Sequence, residues 1–180
     1  MENGRSFVLV YGFTTKFGTH LPRICFTSGG RGSHWIWEIV SMLLNGKAET
    51  ILKSKVTQML ECMPSEVIDE IPSPRVLNSH LHLCRLPKEA LEKKCKIVFI
   101  LRNPKDLAVS YYHHCKGICC YEYDGKFENF LPLFIEGKLE YSTYLDYVEE
   151  WEKAMEERPE IHLICYEDMK TVFSLLRFFF

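Results

Sequence analysis

The chain has 180 residues, 47% of them hydrophobic and 26% charged, with a formal net charge of −2. That balance is globular, so it excludes a chain dominated by disorder. It also provides no general basic field for nucleic acid, while leaving room for a local basic pocket. Length allows one sizeable domain.

No apolar run reaches the length of a membrane span, because VFSLLRFFF is short and carries Arg177. The N-terminal MENGRSFVLVYGF begins acidic and lacks a small-residue cleavage pattern, so no signal peptide is read and the simplest location is cytoplasmic. Several of the eight cysteines lie inside apolar runs, such as Cys25 in ICFTS and Cys165 in HLICY. They are read as small buried hydrophobes rather than disulfide partners.

In chain order, the first twenty-odd residues show no clear period. Arg23 to Ser28 (RICFTS) reads as a short buried strand running into Gly29-Gly30-Arg31-Gly32-Ser33. A helix follows, with Trp35, Ile36, Ile39, Val40, Leu43 and Leu44 at helical spacing and Ser33 as its N-cap. Residues 46–74 carry no readable pattern and are punctuated by Pro72 and Pro74. Arg75 to Ser79 reads as a strand ending at His80. Lys96 to Leu101 is a continuous apolar run of the kind a central parallel strand requires, and Pro104 suits the first turn of the helix after it.

Two amphipathic helices come next. One carries Phe127, Phe130, Leu131 and Phe134 on a face, the other Tyr144, Leu145, Val148, Trp151 and Met155. Ile161 to Tyr166 closes the pattern as another strand. Strands alternating with helices need crossover connections, which predicts an α/β fold with a central, mostly parallel sheet flanked by helices in three layers.

A strand, a glycine-rich turn and a helix N-terminus together can hold an anion: the glycines turn backbone amides outward and the first helical turn adds unpaired N–H groups. Gly29, Gly30 and Gly32 supply such a turn, Ser33 a hydroxyl and Arg31 a charge. It is not a Walker A loop, since GxxxxGK[ST] is absent. Alone, the turn reads equally well as an ordinary strand–helix connection.

Four segments read in order are more specific. Gly32-Ser33-His34-Trp35-Ile36-Trp37-Glu38-Ile39-Val40 resembles the phosphosulfate loop of the cytosolic sulfotransferase family. Ser73-Pro74-Arg75 with Ser79-His80-Leu81 resembles its S-P-R…T-H-L segment. Arg102-Asn103-Pro104-Lys105-Asp106 with Val109-Ser110 resembles its R-N-P-K-D-x-x-V-S segment, and Tyr166-Glu167-Asp168-Met169 its Y-E-D-M segment. The resemblance spans about residues 23–170, is nearest the 6B type, and implies one P-loop-like sulfotransferase domain over residues 1–180.

The resemblance implies sulfuryl transfer from PAPS (3′-phosphoadenylyl sulfate), without a metal, to a small acceptor: a phenol, alcohol, steroid or amine. It assigns Arg102 and Ser110 to the 3′-phosphate, Trp35 and Tyr166 to the nucleotide, and His80 to the acceptor's proton as general base. Arg31, Gly32, Ser33 and His34 line the phosphosulfate loop. A guanidinium suits phosphate and an imidazole suits proton transfer near neutral pH.

The sequence departs from the family pattern in two places. The loop lysine aligns with Gly30, and the residue two before the base, often lysine in relatives, is Asn78. The R-K-G-x-x-G-D-W-K segment that follows Y-E-D-M in relatives is absent, and the chain ends in FSLLRFFF, unlike the helix expected there. These departures predict impaired transfer, and they leave open a non-catalytic nucleotide-binding relative or an unstable truncated product. The family's homodimer is compatible with this chain, although its usual dimer motif falls in the absent segment.

Other clusters read more simply. His82 rivals His80 as base, but the motif favours His80. His113-His114-Cys115 with Cys119-Cys120 has metal-ligating side chains but no second ligand pair at metal-site spacing, so no zinc is expected. Glu149, Glu150, Glu152, Glu156 and Glu157 read as a solvated helix face.

Overall fold

The computed structural model describes residues 7–12, 31–49, 55–73, 75–118 and 121–176; residues 7–12, 31–32 and 172–176 are described by their backbone alone. Its centre is a sheet of four parallel strands: β1 (Phe7–Gly12), β2 (Arg75–Ser79), β3 (Lys96–Leu101) and β4 (Ile161–Cys165). The order across the sheet is β2-β1-β3-β4. Register pairs Val8 with both Val76 and Lys96, and Ile97 with Ile161.

The helices are α1 (Arg31–Asn45), α2 (Ser65–Glu70), α3 (Lys88–Glu92), α4 (Pro104–Gly117), α5 (Phe127–Ile135), α6 (Tyr144–Glu157) and α7 (Tyr166–Leu176). Short 3₁₀ turns occupy Lys55–Gln58 and Leu83–Arg85.

Alternation along β3 sends Ile97 and Phe99 into one apolar layer and Val98 and Ile100 into the other. The larger layer packs Phe99 against Tyr147 and Trp151 of α6, with Tyr111 of α4 and Phe130 of α5. Trp151 is fully buried and stacks on Phe99 with ring centroids 5.0 Å apart. The smaller layer joins Ile36 and Trp37 of α1 to Val76, Val98, Ile100 and Met169. Trp37 Nε1–H donates to the Val76 carbonyl at 3.4 Å, pinning α1 to β2. The expected three-layer α/β arrangement is therefore what the chain adopts.

Several elements differ from expectation. A strand stands at Phe7–Gly12, where no period is visible in the sequence, and it is central. The strand expected over Arg23–Ser28 lies outside the described residues. On α6 the buried stripe is Tyr147, Trp151 and Ala154, while Leu145 is 75% exposed. The stripe follows the aromatic surface offered by Phe99, not the aliphatic residue nearest in spacing. Leu43 of α1 is likewise exposed. Residues 46–74 hold α2 and the 55–58 turn, and α7 runs as helix to Leu176, into the apolar FSLLRFFF segment read as unlike the family's helix.

The topology places the site. From β1 the chain passes to β2 on one side, then to β3 on the other, so the strand order reverses beside β1. In open parallel sheets, ligands bind beyond the carboxyl ends of the strands at such a point. His80 follows β2, Arg102 follows β3 and Tyr166 follows β4, all at that edge.

Candidate functional site

Three junctions at the carboxyl edge are tied to one another. At the β3–α4 junction, Asn103 caps α4 by accepting from Lys105 N–H at 2.9 Å. Asn103 N–H in turn donates to Glu167 Oε1 at 3.0 Å, linking this turn to the start of α7. Tyr144 O–H donates to the Arg102 carbonyl at 2.7 Å, so α6 also holds this turn.

The side chains converge on Tyr166. The Arg102 guanidinium lies over the Tyr166 ring at 4.6 Å, and the Trp35 ring meets it edge-on at 6.3 Å. Lys170 Nζ lies 5.0 Å from the same ring. Arg102 Nε is buried without a hydrogen-bond partner among the described residues. A buried guanidinium donor beside an aromatic pair fits an anionic nucleotide: planes to stack a base and a fork for a phosphate. Lys170 carries no sequence motif, only its place one helical turn beyond Tyr166.

Ser33 is the third residue of α1 rather than its N-cap, because the helix begins two residues earlier, at Arg31. The hydroxyl is buried and accepts from Lys55 Nζ at 2.7 Å. His34, on the next position of the turn, is exposed. Arg31 and Gly32 form the start of the helix; the Arg31 side chain and the turn Gly29-Gly30 lie outside the described residues. Ser110 is half-buried on α4, two turns from Arg102 along the chain.

His80 is buried, 2% exposed, at the end of β2. Glu61 Oε1 accepts from His80 N–H and from His80 Nδ1–H, each at 2.7 Å. A carboxylate on Nδ1 fixes the tautomer and leaves the ring's lone pair on Nε2, as a general base requires. Burial lowers the His80 pKa, opposed by the Glu61 charge, so the ring is neutral at pH 7. Burial pushes Glu61 upward, but the charge of His80 and its hydrogen bonds outweigh that and hold it below the usual carboxylate range. The Tyr141 ring packs 6.4 Å from the His80 ring. Tyr141 and Ser142 sit at φ 74° and 59°, a left-handed pair. It is held by His82 Nε2, which lies 3.0 Å from the Tyr141 carbonyl.

His82 is therefore no rival base. Its Nδ1 lies 2.5 Å from Glu150 and its Nε2 faces a carbonyl, so both nitrogens are occupied. Glu150 in turn departs from the solvated face expected of the α6 carboxylates: it is half-buried, whereas Glu149 is exposed and pairs with Lys153.

Two side chains at this edge carry no signal in the sequence. Glu61 and Lys55 lie in the unpatterned segment between α1 and β2. Asn78, fully buried, donates through Nδ2 to the carbonyls of Lys55 and Gln58 at 2.9 and 3.0 Å, and Leu60 N–H donates to the Asn78 carbonyl. Asn78 thus straps this segment to β2 and aims both side chains at the site. His114 on α4, part of the His/Cys cluster read from the sequence, has both ring nitrogens buried without hydrogen-bond partners among the described residues. Its pKa is pushed down to about 4 by burial and by the nearby His80, His34 and Lys55 charges. Along α4, exposed His113 and core-buried Cys115 flank it, facing different ways.

Comparison with known proteins accords with this geometry. The sulfotransferase domain family model matches residues 26–173. Sulfotransferase 1B1 of Mus musculus is 36% identical over 150 residues, covering 77% of this chain and 50% of the relative. Sulfotransferase 6B1 of Homo sapiens is 36% identical over 142 residues, covering 77% and 46%. The chain thus spans about half the length of these curated relatives. Among solved structures, mouse sulfotransferase SULT7A1 complexed with PAP superposes with a TM-score of 0.70 at 26% identity, covering 96% of this chain and 55% of that one. A retinol dehydratase in complex with androsterone and inactive cofactor PAP shares the fold, with a TM-score of 0.68 at 18% identity, covering 95% and 57%. With its fold, its ordered motifs and this match over most of its length, the chain belongs to the sulfotransferase family.

Proposed function

We propose that this chain binds PAPS at the carboxyl edge of its sheet and directs sulfuryl transfer to a hydroxyl or amine of a small acceptor. The observation that carries the reading is the convergence of Trp35, Arg102 and Tyr166 in one cluster, with His80 held on Glu61 at the same edge. In this reading residues 1–180 act as one domain. When bound, PAPS supplies the sulfuryl group and a bisphosphate leaving group. Trp35 and Tyr166 stack the base, Arg102 and Ser110 hold the 3′-phosphate, and Ser33 and the first amides of α1, from Arg31, Gly32 and His34, hold the other phosphate end. His80 takes the acceptor's proton at Nε2, and Glu61 stabilises the imidazolium that results. No metal enters this chemistry.

The test is transfer of labelled sulfate from PAPS to a panel of phenols, alcohols, steroids and amines by the folded chain. Transfer that His80→Ala abolishes supports the reading; a folded chain that binds the nucleotide yet transfers nothing to any acceptor rejects it. Gly30 favours a second reading, a nucleotide-binding relative without turnover, since loss of one preorganised donor to a developing anion costs roughly 10²–10³ in rate. Calorimetric binding of adenosine 3′,5′-bisphosphate without turnover is its signature.

A further inference from the structure

Two motif positions at which relatives carry a lysine have none here: Gly30 in the loop and Asn78 before the base. A lysine from elsewhere in the chain nevertheless enters the site. Lys55 is 4% exposed, and its Nζ lies 2.7 Å from Ser33 Oγ, at the first turn of α1. One N–H of the ammonium is used there, and it has no other hydrogen-bond partner among the described residues. Asn78 itself holds the Lys55 carbonyl, so the residue at one of these two positions anchors Lys55.

We propose that Lys55 is a catalytic residue of this chain, supplying from the 55–58 turn the ammonium that Gly30 cannot. This rests on the sulfotransferase reading above. In the transfer step the acceptor oxygen bonds to sulfur while its proton passes to His80 Nε2. The bond between sulfur and the bridging phosphate oxygen breaks, and its electron pair stays on that oxygen. Lys55 meets the new charge with an N–H not engaged by Ser33. A buried ammonium is well suited to this, because a dry site strengthens its pull on a developing anion.

Burial holds the Lys55 pKa down to about 8, with Glu61 and Cys62 opposing the shift. Among the described residues, His80 and His114 also sense its charge. At pH 7 the ammonium is charged and sits in the interior at a cost to stability, which is the opposite of what a structural lysine does.

The test compares the wild-type chain with Lys55→Met, Lys55→Arg and Lys55→Met/Gly30→Lys. Each is assayed for adenosine 3′,5′-bisphosphate affinity by calorimetry, sulfate transfer from PAPS to 4-nitrophenol, and thermal melting. The expected result is that Lys55→Met melts no lower than wild type at pH 7, binds the bisphosphate at least tenfold more weakly, and transfers roughly 10²–10³-fold more slowly. Restoring a lysine at position 30 recovers transfer. Wild-type affinity falls as pH rises through about 8, and Lys55→Met shows no such fall. If wild type transfers nothing but Lys55→Met still weakens the bisphosphate tenfold, the transfer reading fails and Lys55 remains a nucleotide ligand. A folded Lys55→Met within twofold of wild type in affinity and turnover overturns the proposal, as does a folded wild-type chain that binds no bisphosphate.

Discussion

Glu61→Gln isolates charge from geometry at the base. Glutamine keeps an oxygen where Glu61 Oε1 accepts from His80 N–H and Nδ1–H, so the ring's orientation and tautomer survive while the negative charge is lost. Both side chains are nearly inaccessible, at 3% and 2% exposure. With charge centres about 4 Å apart and an effective dielectric of about 20, the carboxylate stabilises the imidazolium formed during transfer by about 4 kcal/mol. At roughly 1.4 kcal/mol per tenfold, that bounds the loss near 10³, within the ~10²–10⁴ that general base catalysis supplies. The plateau of kcat should therefore fall by about 10²–10³.

The pH profile gives the sign. Glu61 raises the His80 pKa against the burial that lowers it, so removing the charge lowers it further. A base acts when unprotonated, hence the acidic limb of kcat/KM should move to lower pH. The assay is steady-state transfer from PAPS between pH 5 and 8. An unchanged plateau, or an acidic limb moving upward, would refute the role given to this pair.

Other outcomes follow from the same contacts. Asn78→Ala removes two side-chain hydrogen bonds, to the carbonyls of Lys55 and Gln58, at about 0.5–1.5 kcal/mol each; a net loss of about 1–3 kcal/mol should appear in urea unfolding. Trp151→Ala should cost about 3–5 kcal/mol by the same measurement, since the indole is fully buried on Phe99. His114→Phe removes two buried nitrogens that have no hydrogen-bond partner among the described residues, and should raise the melting temperature. Lys55 binds its proton less tightly folded than unfolded, so its contribution to stability should rise with pH between about 8 and 10.5. That slope should vanish in Lys55→Met, as read by denaturation across the window.

Much of this was visible in the residues themselves. The run KIVFIL followed by Arg102-Asn103-Pro104 carries its own strand, stop and helix start, and the structure keeps all three. His80 was legible because it ends a strand inside a motif. Lys55 and Glu61 were not, because their segment has no period and their role arises from tertiary contact: Asn78, about twenty residues on, sets their direction. The central strand Phe7–Gly12 was hidden by a rival apolar run that abuts the glycines, and local pattern alone does not rank two such runs. Tyr147 and Leu145 show the same limit, since spacing defines a helical stripe only to within a residue until its partner is known.

The central claim is that Trp35, Arg102 and Tyr166 form the nucleotide end of a sulfuryl-transfer site. Isothermal titration of the full chain with adenosine 3′,5′-bisphosphate tests it most directly, beside a melting curve that shows the chain is folded. The account predicts one molecule bound per chain, with affinity cut at least tenfold in both Arg102→Ala and Trp35→Ala. A cooperatively folded chain that takes up no bisphosphate, or one whose affinity ignores both substitutions, would contradict it.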